Sequence, residues 1–74
     1  MFEKIENILS EQGHIKIKIY SLEYIIEFQN NVYKIYAELY PNKYYDYNSL
    51  KDLFDYFTIY NENLISNISR IIIL

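Results

Sequence analysis

The sequence predicts an α+β fold: a three-stranded antiparallel meander with helices packed on one face, in the order α-β-β-β-α-α. Three observations lead to this prediction. A helical apolar stripe opens the chain, three segments then alternate between apolar and polar residues, and helical spacing returns after residue 48. The chain has 74 residues, 51% of them hydrophobic, with one glycine and one proline. This length and composition suit a single globular domain over residues 1–74.

Residues 2–12 are predicted to form the first helix. Apolar residues recur there at helical spacing, and charged residues occupy the other side: Phe2, Ile5, Ile8 and Leu9 against Glu3, Lys4, Glu6 and Glu11. Gly13 follows at the position where a helix C-cap favours glycine.

Three strands are predicted next, in HIKIKIY, LEYIIEFQ and VYKIYAELY. Asn30 and Asn31 tolerate positive φ and suit a two-residue type I′ turn between the second and third strands. With this turn fixed, one face carries the pairs Phe28–Tyr33, Ile26–Ile35, Tyr24–Ala37 and Leu22–Leu39, and the other carries Glu27–Lys34 and Ile25–Tyr36. A tight turn at Tyr20-Ser21 then adds Ile15, Ile17 and Ile19 to the apolar face, with Lys18 facing Glu23 and His14 facing Glu27.

The second half is predicted as a loop followed by two helices. The stretch YPNKYYDYNS, residues 40–49, combines four tyrosines with turn-forming residues and is expected to be irregular. Ser49-x-x-Asp52 resembles a capping box and opens a helix over residues 49–58, which ends or bends near Thr58. The segment NENLISNISRIIIL, residues 61–74, predicts a third helix, with a short strand over 71–74 as the alternative.

The order α-β-β-β-α resembles the topology of the double-stranded-RNA-binding domain. Members of that family carry a lysine cluster at the start of their last helix to contact phosphates. The corresponding segment here, NSLKDLFDYF, has one lysine and two aspartates. The resemblance therefore extends to topology, and RNA binding is not expected to follow from it.

Enzymatic function is disfavoured by what the sequence lacks. There is no cysteine, His14 is the sole histidine, and one glycine cannot build a phosphate-binding loop. We therefore predict no catalytic activity, no cofactor and no metal site. Asp52 and Asp55 could together hold a divalent ion or share a proton, but the polar side of an amphipathic helix accounts for them without either.

The net charge indicates the class of partner, and the first residues together with the composition indicate the compartment. The net charge of −3 disfavours direct binding to nucleic acid, which depends on neutralising phosphates. The first residues carry acids rather than a signal peptide's basic region, and the longest apolar run, Ile71–Leu74, cannot span a membrane. A cysteine-free chain rich in Ile, Asn, Lys and Tyr suggests a low-GC bacterium or its phage, and the bacterial cytoplasm.

The ten tyrosines predict a surface that binds another protein, because tyrosine is enriched at interfaces. The predicted contact residues are tyrosines and acids from the third strand onward: Tyr36, Tyr40, Tyr44, Tyr45, Asp46, Tyr47, Asp52, Asp55, Tyr56 and Glu62. The favoured function is a small acidic inhibitor of a host complex such as a nucleic-acid-guided nuclease, of the anti-CRISPR type. Its acids would imitate phosphates in a nucleic-acid channel.

Two alternatives use other surfaces. A nucleic-acid binder would use Lys16, Lys18 and Lys34, interleaved with Tyr20 and Tyr36 on the open face of the sheet. A self-associating subunit would form a homodimer through the apolar C-terminal helix.

Overall fold

The predicted first helix is present, and Gly13 ends it. In the computed structural model, which describes residues 1–74, helix α1 spans Phe2–Gln12 and buries Ile5 and Leu9. Gly13 has a φ of 80°, and its N–H donates to the carbonyl of Leu9 at 2.9 Å. Glycine fits here because a side chain would be strained at this φ. The carbonyl of Gly13 also accepts from the N–H of Phe28 at 2.8 Å, which joins the helix end to the sheet.

The predicted meander of three strands forms in the predicted register. The strands are β1 (His14–Ile19), β2 (Leu22–Gln29) and β3 (Val32–Ala37). Asn30 and Asn31 have φ values of 55° and 63°, as a type I′ turn requires. The predicted pairs are confirmed with one exception.

The exception is the pairing of Leu22 with Leu39, which is wrong. Strand β3 ends at Ala37, and Leu39 is 83% exposed. Two successive turns cause this: the N–H of Tyr40 donates to the carbonyl of Ala37 at 3.0 Å, and the N–H of Lys43 donates to the carbonyl of Tyr40 at 3.1 Å. They reverse the chain before Leu39 can join the sheet.

Residues 40–49 are not wholly a loop, because they contain a fourth strand. Strand β4 spans Tyr44–Tyr47 and pairs antiparallel with β3. Tyr45 lies opposite Ile35, on the face that carries the core, whereas Tyr44 and Asp46 lie on the opposite face. The turn residues that precede the strand obscured its short alternation in the sequence.

The second helix forms as predicted, although it is shorter. Helix α2 spans Leu50–Tyr56, and the hydroxyl of Ser49 accepts from the N–H of Asp52 at 3.0 Å. This bond satisfies one of the unpaired donors at the helix start. Phe57 has an extended conformation, so the helix ends next to the predicted boundary at Thr58.

The third helix, predicted over residues 61–74, is confirmed only in part, as a 3₁₀ helix shorter than predicted. Strands β5 (Thr58–Ile59) and β6 (Glu62–Asn63) form a small hairpin, a 3₁₀ helix covers Leu64–Arg70, and β7 (Ile72–Ile73) follows. Asn67 interrupts the 3₁₀ helix with a non-helical conformation. The short-strand alternative for the chain end is confirmed, and the C-terminal helix is a 3₁₀ helix that ends at Arg70.

The main sheet has five antiparallel strands in the order β4-β3-β2-β1-β7. One cluster of 14 buried apolar residues lies between one face of this sheet and the helices. The other face carries the lysines of β1 and β3 and is not covered by any helix. No helix in the chain combines the length and the apolar character needed to cross a bilayer.

Candidate functional site

A groove lined by aromatic side chains lies at one end of the sheet. It has a volume of about 300 Å³ and collects residues from β2, β3, β4, the β3–β4 turn and the end of α2. We call it the tyrosine groove; its lining comprises Tyr24, Tyr36, Ala37, Tyr40, Lys43, Tyr45, Tyr47, Tyr56, Phe57 and Thr58. A space of this size accommodates one or two side chains of a partner.

Phe57 forms the base of the tyrosine groove. Its ring is buried, and the rings of Tyr24 and Tyr45 meet it edge-on at centroid distances of 5.7 and 5.5 Å. Phe57 takes this position because α2 ends one residue earlier. Ala37 lies directly opposite Tyr24 in the sheet, and its methyl group leaves room between the two tyrosines. The cavity therefore depends on a small residue at this position of β3.

The tyrosine hydroxyls of the groove are largely without protein partners. Only two tyrosine hydroxyls in the chain bond to other residues, those of Tyr20 and Tyr36. Burial raises the pKa of Tyr24 and of Tyr47 above the ordinary value, so both hydroxyls lose their protons only at a pH higher than usual for tyrosine. The groove thus presents apolar rings together with hydroxyl groups that are able to donate hydrogen bonds.

The groove brings together half of the predicted contact residues. Five of them line it: Tyr36, Tyr40, Tyr45, Tyr47 and Tyr56. Tyr36 also reaches the open sheet face, where its hydroxyl donates to Glu27 at 2.9 Å. Burial, followed by this bond, raises the pKa of Tyr36.

The other predicted residues are dispersed. Tyr44 and Asp46 lie on the open sheet face, where the Lys34 ammonium sits 4.5 Å from the centroid of the Tyr44 ring. Asp52 lies in the first turn of α2, and Asp55 forms an ion pair with Lys51 at 2.6 Å. Glu62 is on the exposed β5–β6 hairpin. The predicted acidic face is therefore not a single patch.

One lysine of the open face, Lys16, is held by two acidic neighbours. The ammonium of Lys16 lies 3.1 Å from Glu23 and 2.9 Å from Glu38. Its hydrogen bonds to Glu38 and Glu23 raise the pKa of Lys16, and the bond to Lys16 lowers the pKa of Glu23. Since two carboxylates neutralise Lys16, this lysine contributes little positive charge for phosphate groups.

A second aromatic group lies on the C-terminal side and was not anticipated. We call it the Asn67 cluster; it comprises Tyr20, Tyr60, Asn67 and Arg70. The hydroxyl of Tyr20 donates to Oδ1 of the fully buried Asn67 at 2.9 Å, and Nη1 of Arg70 donates to the same oxygen at 2.8 Å. Nδ2 of Asn67 is buried without a partner. The two turns that carry Tyr20 and Tyr60 meet here.

Sequence reasoning missed the other five groove residues, Tyr24, Ala37, Lys43, Phe57 and Thr58. Tyr24 was assigned to the apolar face of the sheet and Phe57 to the predicted second helix, and both pack on the core. Their edges nevertheless face the groove. Only the position of the β3–β4 turn relative to the end of α2 reveals this second role.

Neither a metal site nor a relative helps to assign the function. No group of three or more His, Cys, Asp or Glu side chains is arranged to hold a metal ion. No protein-family model matches the chain, and comparisons with curated proteins and with solved structures find no match either. The function has to be argued from the groove and from the distribution of charge.

Proposed function

We propose that this chain is a non-enzymatic protein-binding module whose contact surface is the tyrosine groove. The observation that carries the proposal is the convergence of tyrosines from five separate parts of the chain on one cavity, with every hydroxyl except that of Tyr36 unbonded. Tyrosine combines a large apolar ring with a polar tip, which suits a contact that must be stable both in water and in a complex.

The distribution of charge supports a basic partner. Four of the seven basic side chains are engaged within the protein: Lys16 and Lys51 in ion pairs, Lys34 over Tyr44, and Arg70 in the Asn67 cluster. Seven carboxylates, in contrast, form no ion pair: Glu3, Glu6, Glu11, Glu27, Asp46, Asp52 and Glu62. The field around the chain is therefore negative and favours encounter with a positively charged surface.

Proteins that handle nucleic acid carry such surfaces. The more specific proposal is a small inhibitor, of the phage anti-defence or anti-CRISPR type, that occupies the basic surface of a host nuclease complex. The ion pairs of Lys16 on the open face reduce the support for direct nucleic-acid binding.

Site-specific photocrosslinking tests this proposal, and two tyrosines offer a matched pair. Tyr56 and Tyr60 are each 70% exposed, but Tyr56 lines the groove and Tyr60 lies in the Asn67 cluster. A benzophenone amino acid at position 56 should crosslink one bacterial protein in nuclease-treated lysate, and the same residue at position 60 should not. Equal crosslinking from both positions, or none from position 56, would contradict the proposal.

A further inference from the structure

One edge of the main sheet carries backbone groups that have no partner. Strand β4 is the last strand on that side and pairs with β3 alone. Hydrogen-bonded pairs alternate with non-hydrogen-bonded pairs along an antiparallel ladder. The N–H of Glu38 donates to the carbonyl of Glu23 at 3.0 Å, so the even-numbered residues of β3 bond to β2 and the odd-numbered ones bond to β4. The N–H and C=O groups of Tyr44 and Asp46 therefore point away from the sheet, at its free edge.

This edge also exposes an aromatic ring on each face of the sheet. Tyr44 is 51% exposed on the open face, and Tyr45 is 55% exposed on the face that carries the groove. Many natural sheet edges are protected from further pairing by a lysine, a proline or a bulge. Strand β4 reads YYDY and pairs with β3 at four consecutive positions, so it has none of these three, and Asp46 is its one charged residue.

We propose that a second copy of this chain pairs antiparallel with the free edge of β4, so that two sheets join into one across a two-fold axis. When Tyr45 lies at the axis, each Tyr44 is opposite Asp46 of the second copy, and each such pair exchanges both backbone hydrogen bonds. An axis at Asp46 would instead set two carboxylates against each other. An axis at Tyr44 would leave Asp46 opposite Asn42, in the turn before the strand.

The charges at this edge favour a second copy as the occupant. Lys34 lies directly opposite Asp46 within one chain, yet the two form no ion pair, and the Lys34 ammonium lies 4.5 Å from the centroid of the Tyr44 ring. With Tyr45 at the axis, Asp46 of each copy lies opposite the Tyr44 ring of the other copy and therefore meets Lys34 there. The same ion pair forms twice by symmetry. The two Tyr45 rings lie side by side at the axis, and aromatic pairs of this kind stabilise antiparallel strands.

This inference goes beyond the proposed function, because it concerns the strand edge and not the occupant of the groove. An interface of one short strand from each copy is small, so the dimer should form at about 0.1 mM and above. Sedimentation equilibrium of the full chain should show a mass that rises with concentration from 9.1 kDa towards twice that value. A monomer mass up to about 1 mM would overturn the inference.

Two charge reversals test the ion pair, and mixing them separates contacts between copies from contacts within one chain. Asp46→Lys and Lys34→Glu should each be monomeric, because each sets like charges against each other across the axis. An equimolar mixture of the two should form a heterodimer, in which every such pair is again of opposite sign. Mixing does not change repulsion inside either chain. Both variants also keep a negative net charge, so overall attraction does not explain the association.

The matched control mixes Glu3→Lys with Lys4→Glu, which reverse the same charges on the exposed side of α1. These two chains should dimerise like the unaltered chain, alone or mixed. Melting curves close to that of the unaltered chain show that the reversed chains are folded. A mixture of the β4 and β3 variants that stays monomeric would overturn the inference. A dimer that survives both reversals would place the second copy on another surface, such as β7, and would overturn it as well.

Disulfide trapping tests the register, since the chain has no cysteine of its own. Tyr44 and Tyr45 are similarly exposed, but only position 45 faces itself across the axis, with Cα atoms about 4.5 Å apart in a non-hydrogen-bonded pair. This separation suits a disulfide. In a glutathione redox buffer, Tyr45→Cys should give a covalent dimer and Tyr44→Cys should not. Trapping from position 44 alone, or equally from both positions, would overturn the register, and trapping from neither would overturn the interface. Crosslinking to another protein from position 56 is independent of all these outcomes, so the protein-binding function and the dimer fail separately.

Discussion

The tyrosine groove and the Asn67 cluster contain the same kind of ring contact, but the tyrosine hydroxyls of Tyr20 and Tyr45 differ in their bonding. Tyr20 and Tyr60 meet edge-on at 5.6 Å, much as Tyr45 meets Phe57 at 5.5 Å. In the Asn67 cluster the hydroxyl of Tyr20 is held by a buried amide and by Arg70, whereas in the groove the hydroxyl of Tyr45 has no protein partner. The ring geometry is therefore nearly the same in both places, and Tyr20 and Tyr45 differ in whether the hydroxyl is bonded.

The Asn67 cluster has features that only tertiary contact explains. Tyr20 and Tyr60 have φ values of 56° and 54°, which cost energy for a residue with a large side chain. Arg70 has no acceptor atom, so the Asn67 amide must present its oxygen to Arg70, and Nδ2 is left without a partner. These costs are offset by bonds that join the β1–β2 turn to the C-terminal segment, about 50 residues away, as shown by the bond of Arg70 to Tyr20.

The largest effect on stability within this comparison is expected for Asn67→Ala. Asn67 is fully buried and accepts two hydrogen bonds, so its loss leaves a small cavity and removes the acceptor that Tyr20 and Arg70 share. Removing the unpartnered Nδ2 offsets part of this, and the net loss in the free energy of unfolding should be about 2 kcal/mol. Urea unfolding measures it, with Asn7→Ala on the exposed side of α1 as the control. A loss as small as that of the control would mean that the cluster does not hold the C-terminal segment.

The first half of the chain could be predicted because local and tertiary preferences agree there. The alternation of β1 to β3 and the paired asparagines specify one register, and the structure has it. The turn at Tyr60-Asn61 uses the same left-handed conformation as Asn30-Asn31. It escaped prediction because its strands have two residues each and its first position holds a tyrosine. That tyrosine is accommodated only by its contact with Tyr20.

The residue types of the candidate site could be predicted from the sequence, but the arrangement of those residues in space could not. The crowding of tyrosines in residues 40–49 pointed to a contact surface, and three of the four line the groove. The acids were assigned to the same face from their positions in sequence, although Asp46 lies on the other side of the sheet. Since β4 was predicted as a loop, the alternation that separates Tyr45 from Tyr44 and Asp46 could not be applied.

Two substitutions, each of which removes one tyrosine hydroxyl, test the comparison between the Asn67 cluster and the tyrosine groove. Tyr20→Phe removes a hydroxyl that is bonded to Asn67 and Arg70, and should lower the free energy of unfolding by about 1 kcal/mol. Tyr45→Phe removes an unbonded hydroxyl, and should change it by less than about 0.5 kcal/mol. Crosslinking through position 56 should respond in the opposite order, with Tyr45→Phe the weaker. If both variants lose equal stability, the hydroxyl environment does not distinguish the two assemblies.

The smallest effect on the free energy of unfolding is expected at high pH. Burial raises the pKa of Tyr24 and Tyr47 in the folded state, so the folded chain holds these protons more tightly than the unfolded chain does. Their contribution to stability is complete below the ordinary tyrosine pKa of about 10 and is lost as pH rises through the folded values. Lys16, whose pKa is raised by Glu38 and Glu23, acts in the same direction. Urea unfolding from about pH 8 to about pH 11 should show this decline in stability. The double variant Tyr24→Phe with Tyr47→Phe should make the decline shallower. The control Tyr56→Phe, which removes an exposed hydroxyl, should not change it. A decline equally steep in both variants would assign the whole effect to lysines and to unfolding at high charge.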